Sequence, residues 1–131
     1  MAVLAERGHE IARAVVDRQG GRDRHARLAL DVVQTARKFR PDVVHAHMYR
    51  AETVAARAVI ALGEAGQRRP YLVATAHSSR VRSEADRQTL LELTPRFDRL
   101  IAVSRAIEAK LAHEGRDIVP VSLIQNGVDL Q

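Results

Sequence analysis

Three histidines carry the residue types most able to do chemistry. His45 and His47 flank Ala46 at the end of one apolar run, and His77 closes a second run, Tyr71 to Ala76. His47 leads into Met48, Tyr49 and Arg50. His77 leads into Ser78, Ser79, Arg80 and, two residues on, Arg82, and a third run ends at Ser104 and Arg105. Imidazoles and hydroxyls exchange hydrogen bonds with sugar hydroxyls. Arginines, backbone N–H groups and helix N-termini hold phosphate. The set suits a hydroxyl-rich or phosphorylated ligand. A single polar residue at a strand end ordinarily caps a helix or meets water, so the joint occurrence carries the reading. A metal site is the alternative. Residues i and i+2 of a strand share a face, so His45 and His47 could reach one ion, as in a metal-dependent hydrolase. His77 could be a third ligand only if its strand neighbours theirs, and a barrel hydrolase needs about 250 residues. Hydrogen bonding for His47 and packing beneath a helix for His45 are the simpler roles. His9, His25 and His113 read as surface residues.

The elements that position these residues follow from periodicity. Short apolar or β-branched runs at 41–47, 71–76, 99–103 and 119–124 read as buried strands. Pro120, near the start of the last run, suits an edge strand. Asp23 to Phe39 and Glu52 to Ala65 have helical spacing, the second with Gly63 and Gly66 as stop signals. Ser83 and Asp86 form a capping pattern ahead of Leu90, Leu91 and Leu93, and Thr94-Pro95 breaks that helix. Ser104 caps a helix carrying Ile107 and Leu111, which Gly115 ends. The order β-α-β-α-β-α-β implies a parallel Rossmann-like α/β sheet with helices on both faces. In such a sheet ligands meet the carboxyl ends of the strands, where the histidines lie. Ala2 to Arg7 reads as the end of a helix closed by Gly8. Ile11 to Val16 fits a strand or a helix, and as a strand it would be the fifth.

Length and composition bound the rest. The chain has 131 residues, a formal net charge of +5 and no cysteine. That length makes one domain able to bury roughly two-thirds of its unfolded surface. Disulfides, thiol catalysis and cysteine-held metals are excluded. No transmembrane run and no signal-peptide pattern is present, which favours a cytoplasmic chain. All but two of the 21 basic residues are arginines, the exceptions being Lys38 and Lys110. They are spread along the chain, and stacking aromatics are scarce, which argues against nucleic acid. No helix shows a convincing basic amphipathic pattern, although peripheral docking on the inner membrane face stays open. Unpaired sheet edges leave self-association open as well.

Four motifs in order carry a family resemblance: Arg40-Pro-Asp-Val-Val-His-Ala-His47, Pro70-Tyr-Leu-Val-Ala-Thr-Ala-His77, Asp98-Arg-Leu-Ile-Ala-Val-Ser-Arg105 and Leu123-Ile-Gln-Asn-Gly-Val-Asp129. The set resembles the N-terminal half of a family 4 glycosyltransferase (glycosyl transferase group 1), closely over residues 38–131 and loosely before. The resemblance implies a GT-B architecture of two Rossmann-like domains facing across a cleft. It implies transfer of a sugar from a nucleotide-sugar donor to a sugar, lipid or glycan acceptor, usually with retained anomeric configuration and without a metal or other cofactor. Residues 1–131 would be the acceptor-side domain. The donor would be held by a C-terminal domain, and residues 126–131 would begin the linker towards it. By position, His77 resembles the histidine facing the transferred sugar and is the expected catalytic residue. Ser78, Ser79, Arg80 and Arg82 would line the following loop. His47, Tyr49, Arg50 and Ser104 would meet substrate. The family's opening strand and Gly-rich loop have no counterpart before Ala2, so the chain reads as a partial domain, inactive in transfer alone. A non-catalytic Rossmann-like binding or assembly module is the alternative.

Overall fold

Each apolar run expected as a strand forms one, and each lies beside the next. The computed structural model describes residues 7–13, 22–78 and 83–127. Strands β1 (Val43–His47), β2 (Tyr71–Ala76), β3 (Arg99–Ala102) and β4 (Val121–Leu123) form a parallel sheet in the order β1-β2-β3-β4. The register sets His47 opposite Thr75 and Thr75 opposite Ile101. Helix α1 (Arg22–Phe39) precedes β1. The crossovers carry α2 (Tyr49–Glu64), α3 (Glu84–Leu93) with a 3-10 turn at Thr94–Arg96, and α4 (Arg105–His113).

Alternate strand residues build the core. Ala46, Leu72, Ala74, Leu100 and Ala102 pack against Ala55, Ala56 and Val59 of α2 and Ile107 and Leu111 of α4. Consecutive parallel strands joined by right-handed crossovers place their helices on one side of the sheet. The described helices α2 and α4 lie on this face, and the parallel α/β sheet is the Rossmann-like one expected. α1 packs its Val33 and Ala36 on Ala58 and Leu62 of α2, as an outer layer. The residues between the core positions, among them His45, His47, Val73 and Thr75, form the second face.

Helix ends obey their local signals. The Ser83 and Ser104 hydroxyls accept from the N–H groups of Asp86 and Ile107, three residues on. α2 ends in a Schellman turn: Gln67 N–H donates to Leu62 O at 2.9 Å and Gly66 N–H to Gly63 O at 3.0 Å, with Gly66 at φ +66°. At the amino ends of the strands, Asp98 accepts from Leu72 N–H at 2.7 Å and from the Arg69 guanidinium, which locks β2 to the start of β3. Residues 11–13 lie in neither helix nor strand. The expected helix end at 2–6 and the rest of the 11–16 segment fall outside the described residues. Asn126 and Gly127 are in no regular element, and 128–131 also fall outside.

Candidate functional site

β1 and β2 are neighbours, so the histidines at their carboxyl ends meet. Having i and i+2 on one face sets the ring of His45 against that of His47, tilted by 35° with ring centroids 4.2 Å apart. His77, just past β2, stacks on the far side of His47 at 5.3 Å. His47 Nδ1 and His77 Nε2 are 3.0 Å apart and share a hydrogen bond. At the inner end of this three-ring ladder, His45 Nε2 hydrogen-bonds Thr75 Oγ1 at 2.7 Å. His45 therefore does not pack beneath a helix as expected. It lies on the sheet face away from α2 and α4, tied to β2 by a buried threonine. Partial burial lowers the pKa of His45 first, and the neighbouring rings His47 and His77 lower it further. Burial and then His77 lower that of His47. His45 and His47 are thus biased towards neutral imidazole, which can both donate and accept.

The residue after His47 is backbone-strained. Met48 has φ 76° and ψ 155°, a region that is essentially glycine's, and it caps α2 without a side-chain hydrogen bond. The elbow turns the chain from β1 into α2 within one residue. Glu52 N–H donates to Met48 O at 3.0 Å, and Thr53 Oγ1 donates to Tyr49 O at 3.0 Å. The phenol of Tyr49 is drawn to α3: burial raises its pKa, and a hydrogen bond with Asp86 raises it further. Arg50 stands half-buried in the first turn of α2, and Ser78 half-buried beyond β2. Ser104 is at the same end of the sheet, but its oxygen is used as the α4 cap. Ser79, Arg80 and Arg82 fall outside the described residues. Of the remaining surface histidines, His9 and His113 are exposed and His25 is half-buried.

Three participants were not among the expected site residues. Thr75 is a lone hydroxyl in an apolar strand, and that is its signal. Glu52 and Arg116 form a buried ion pair of 2.7 Å, their side chains 2% and 3% exposed. It links the first turn of α2 to the turn after α4, and their separation of 64 residues hides it from any local pattern. Among the described residues, no group of three or more His, Asp or Glu side chains is placed to hold a metal ion. No described helix is long and apolar enough to cross a membrane. A cavity of about 150 Å³, lined by Arg37, Arg40, Leu62 and Arg68 among others, opens near the end of α1 and the start of β1. That is the end of the sheet opposite to the histidines. There Arg37 and Lys38, in the last turn of α1, answer the negative helix terminus, and Arg68 pairs with Asp42 at 2.7 Å.

The imidazoles of the ladder can hydrogen-bond a hydroxyl and can stabilise charge developing on an oxygen beside them. The family model Glycosyltransferase Family 4 matches residues 2–131. No curated protein matches the chain.

Proposed function

The chain belongs to glycosyltransferase family 4, and from that premise we propose that it forms the acceptor-side wall of a cleft in which a sugar passes from a nucleotide-sugar donor to an acceptor. His77 faces the transferred sugar and stabilises the charge that develops on the leaving phosphate. His47 and Arg50 meet the acceptor or the phosphate from the adjoining strand end, and Ser78, Ser79, Arg80 and Arg82, which follow His77 in sequence, contribute to substrate binding. Tyr49 and Ser104 hold α3 and α4 in place around the site. The nucleotide is held by a second lobe, and the reaction retains anomeric configuration without a metal. One sheet supplies one wall, so the 131 residues bind ligand without turning it over.

The observation that carries this reading is the 3.0 Å meeting of His47 and His77 across the carboxyl ends of β1 and β2. It places two imidazoles where an open α/β sheet receives its ligand. The test is a ligand titration followed by NMR, with a panel of nucleotide-sugars, sugar phosphates and simple glycosides. Ring signals of His47 and His77 should move with at least one of these, and His77→Ala should abolish the response. A panel that leaves both rings unmoved removes the assignment of the site. Hydrolysis or transfer by this chain alone removes the claim that a second lobe is required.

A further inference from the structure

The His47 Nδ1 to His77 Nε2 distance of 3.0 Å requires one nitrogen of the two to be protonated and the other bare. Two N–H groups facing each other at that separation repel. While the bond is intact, the pair therefore exists in only two charge states. In the neutral state one outward nitrogen, His47 Nε2 or His77 Nδ1, is an N–H and the other is bare. One donor and one acceptor match a hydroxyl, which does both. After uptake of a single proton both outward nitrogens are N–H, and the pair carries one positive charge. Two donors and a cation match a tetrahedral oxyanion.

We propose that His47 and His77 are a proton-sharing receptor, whose neutral form receives a sugar hydroxyl and whose singly protonated form receives a phosphate group, so that capture of the anion draws one proton from solvent. The identity of the phosphate as that of a sugar donor rests on the glycosyltransferase reading. The coupling itself does not. Three features of the site favour it. His45, anchored by its 2.7 Å bond to Thr75, packs its ring against that of His47 at 4.2 Å and so restricts it. Among the described residues, β1 adds His45, the end of β2 adds the hydroxyls of Thr75 and Ser78, and the first turn of α2 bears Tyr49 and Arg50. The carboxylate of Asp86 on α3 acts on Tyr49, and among the described residues no carboxylate shifts either His45 or His47. A ligand anion would thus supply the missing counter-charge. Burial, and then the ring of His77, lower the pKa of His47, so the resting His47 imidazole has a proton to gain.

The experiment is an NMR pH titration of the histidine ring signals of this chain, from about pH 8 to about pH 5. It is run in sodium sulfate and in sodium chloride at equal ionic strength. Sulfate is the probe because it does not itself titrate in that range. In chloride the signals of His47 and His77 should move together through one shared step. In sulfate that step should rise by about half a pH unit or more. His77→Gln and His47→Gln each leave one ring alone, and the sulfate-dependent rise should fall to less than half in both. Two rings that each take a full proton independently overturn the proposal. So does a midpoint equal in the two salts, or a rise that survives in either variant. The wild-type comparison stands even if a variant fails to fold. An intact sulfate shift with no response to any sugar ligand refutes the glycosyltransferase reading of the site and leaves the proton coupling in place.

Discussion

Replacing Arg116 by Met isolates the buried ion pair behind the site. Gly115, at φ +70°, ends α4 in a Schellman turn, with Arg116 N–H donating to Leu111 O at 2.9 Å and Gly115 N–H to Ala112 O at 3.0 Å. That turn aims Arg116 inward, where it is 2% exposed. Its guanidinium donates to Glu52 at 2.7 Å and to Thr94 Oγ1 at 3.1 Å. Methionine fills a similar volume and donates nothing. Thr94 keeps its bond to Leu90 O at 2.6 Å, so the loss falls on Glu52, a carboxylate 1% exposed with no remaining counter-charge. Removing one member of a buried pair costs about 3–5 kcal/mol. A domain of this kind holds about 5–15 kcal/mol in total. The variant should therefore unfold about 10–20 °C lower, at a few degrees per kcal/mol. Urea unfolding followed by circular dichroism measures the loss directly. The double variant Glu52→Leu/Arg116→Met should recover much of it, because a well-packed apolar pair can replace a buried ion pair at little cost. A loss below about 1 kcal/mol in Arg116→Met would refute the reasoning. So would a double variant as unstable as the two single losses added.

Acidification should destabilise the fold through the histidine ladder. The folded-state pKa values of His45 and His47 lie below the ordinary 6.5, so the unfolded chain binds more protons than the folded one. Stability is then full above the unfolded value and falls as pH drops through 6.5 towards the depressed folded values. The urea midpoint should be lower at about pH 5.5 than at about pH 7.5, with a shallower dependence in His45→Gln. A midpoint that rises on acidification contradicts the lowered pKa values. Met48→Gly should stabilise by about 1 kcal/mol in urea unfolding, since it relieves a conformation costing about 1–3 kcal/mol in a non-glycine residue. A destabilised variant would show that the Met48 side chain outweighs the strain. Ser104→Ala should cost about 1 kcal/mol through loss of the α4 cap while leaving ligand-induced shifts at His47 and His77 unchanged. Weakened ligand response would return Ser104 to the substrate-binding set.

The parts of this molecule readable in the sequence are those set by short-range rules. β2 falls on its expected bounds, because an apolar run between polar turns leaves few alternatives. Ser83, Ser104, Gly66 and Gly115 end or start helices where their chemistry requires. A continuous apolar run says that both faces of a strand are filled, but not by which segment. His45 shows the same limit from the other direction. Its position in the run suggested the helix layer, but alternation along β1 gives that layer to Val44 and Ala46 and turns His45 to the other face. The pairing of His47 with His77 depends on β1 and β2 being adjacent, which is a fact of topology. Asp98, which opens the third motif, has a structural use, accepting from Leu72 N–H and Arg69.

The elbow at Met48 explains why the remote ion pair matters to the histidines. A backbone held at φ 76° and ψ 155° relaxes unless its surroundings over-determine it. Here the first turn of α2 is held through three separate contacts. Glu52, bonded through its N–H to Met48 O, is clamped by Arg116 from the turn after α4. Tyr49 is held by Asp86 from α3. Thr53 closes the turn locally on Tyr49 O. Each of the long-range anchors comes from a different crossover, so the elbow is set only once the whole sheet has assembled. His47 is the residue immediately before it. A relaxed elbow would free the end of β1 to turn, and the 3.0 Å contact with His77 depends on that end staying still. The buried charge thus acts on the site through the backbone, from a position that touches no ligand.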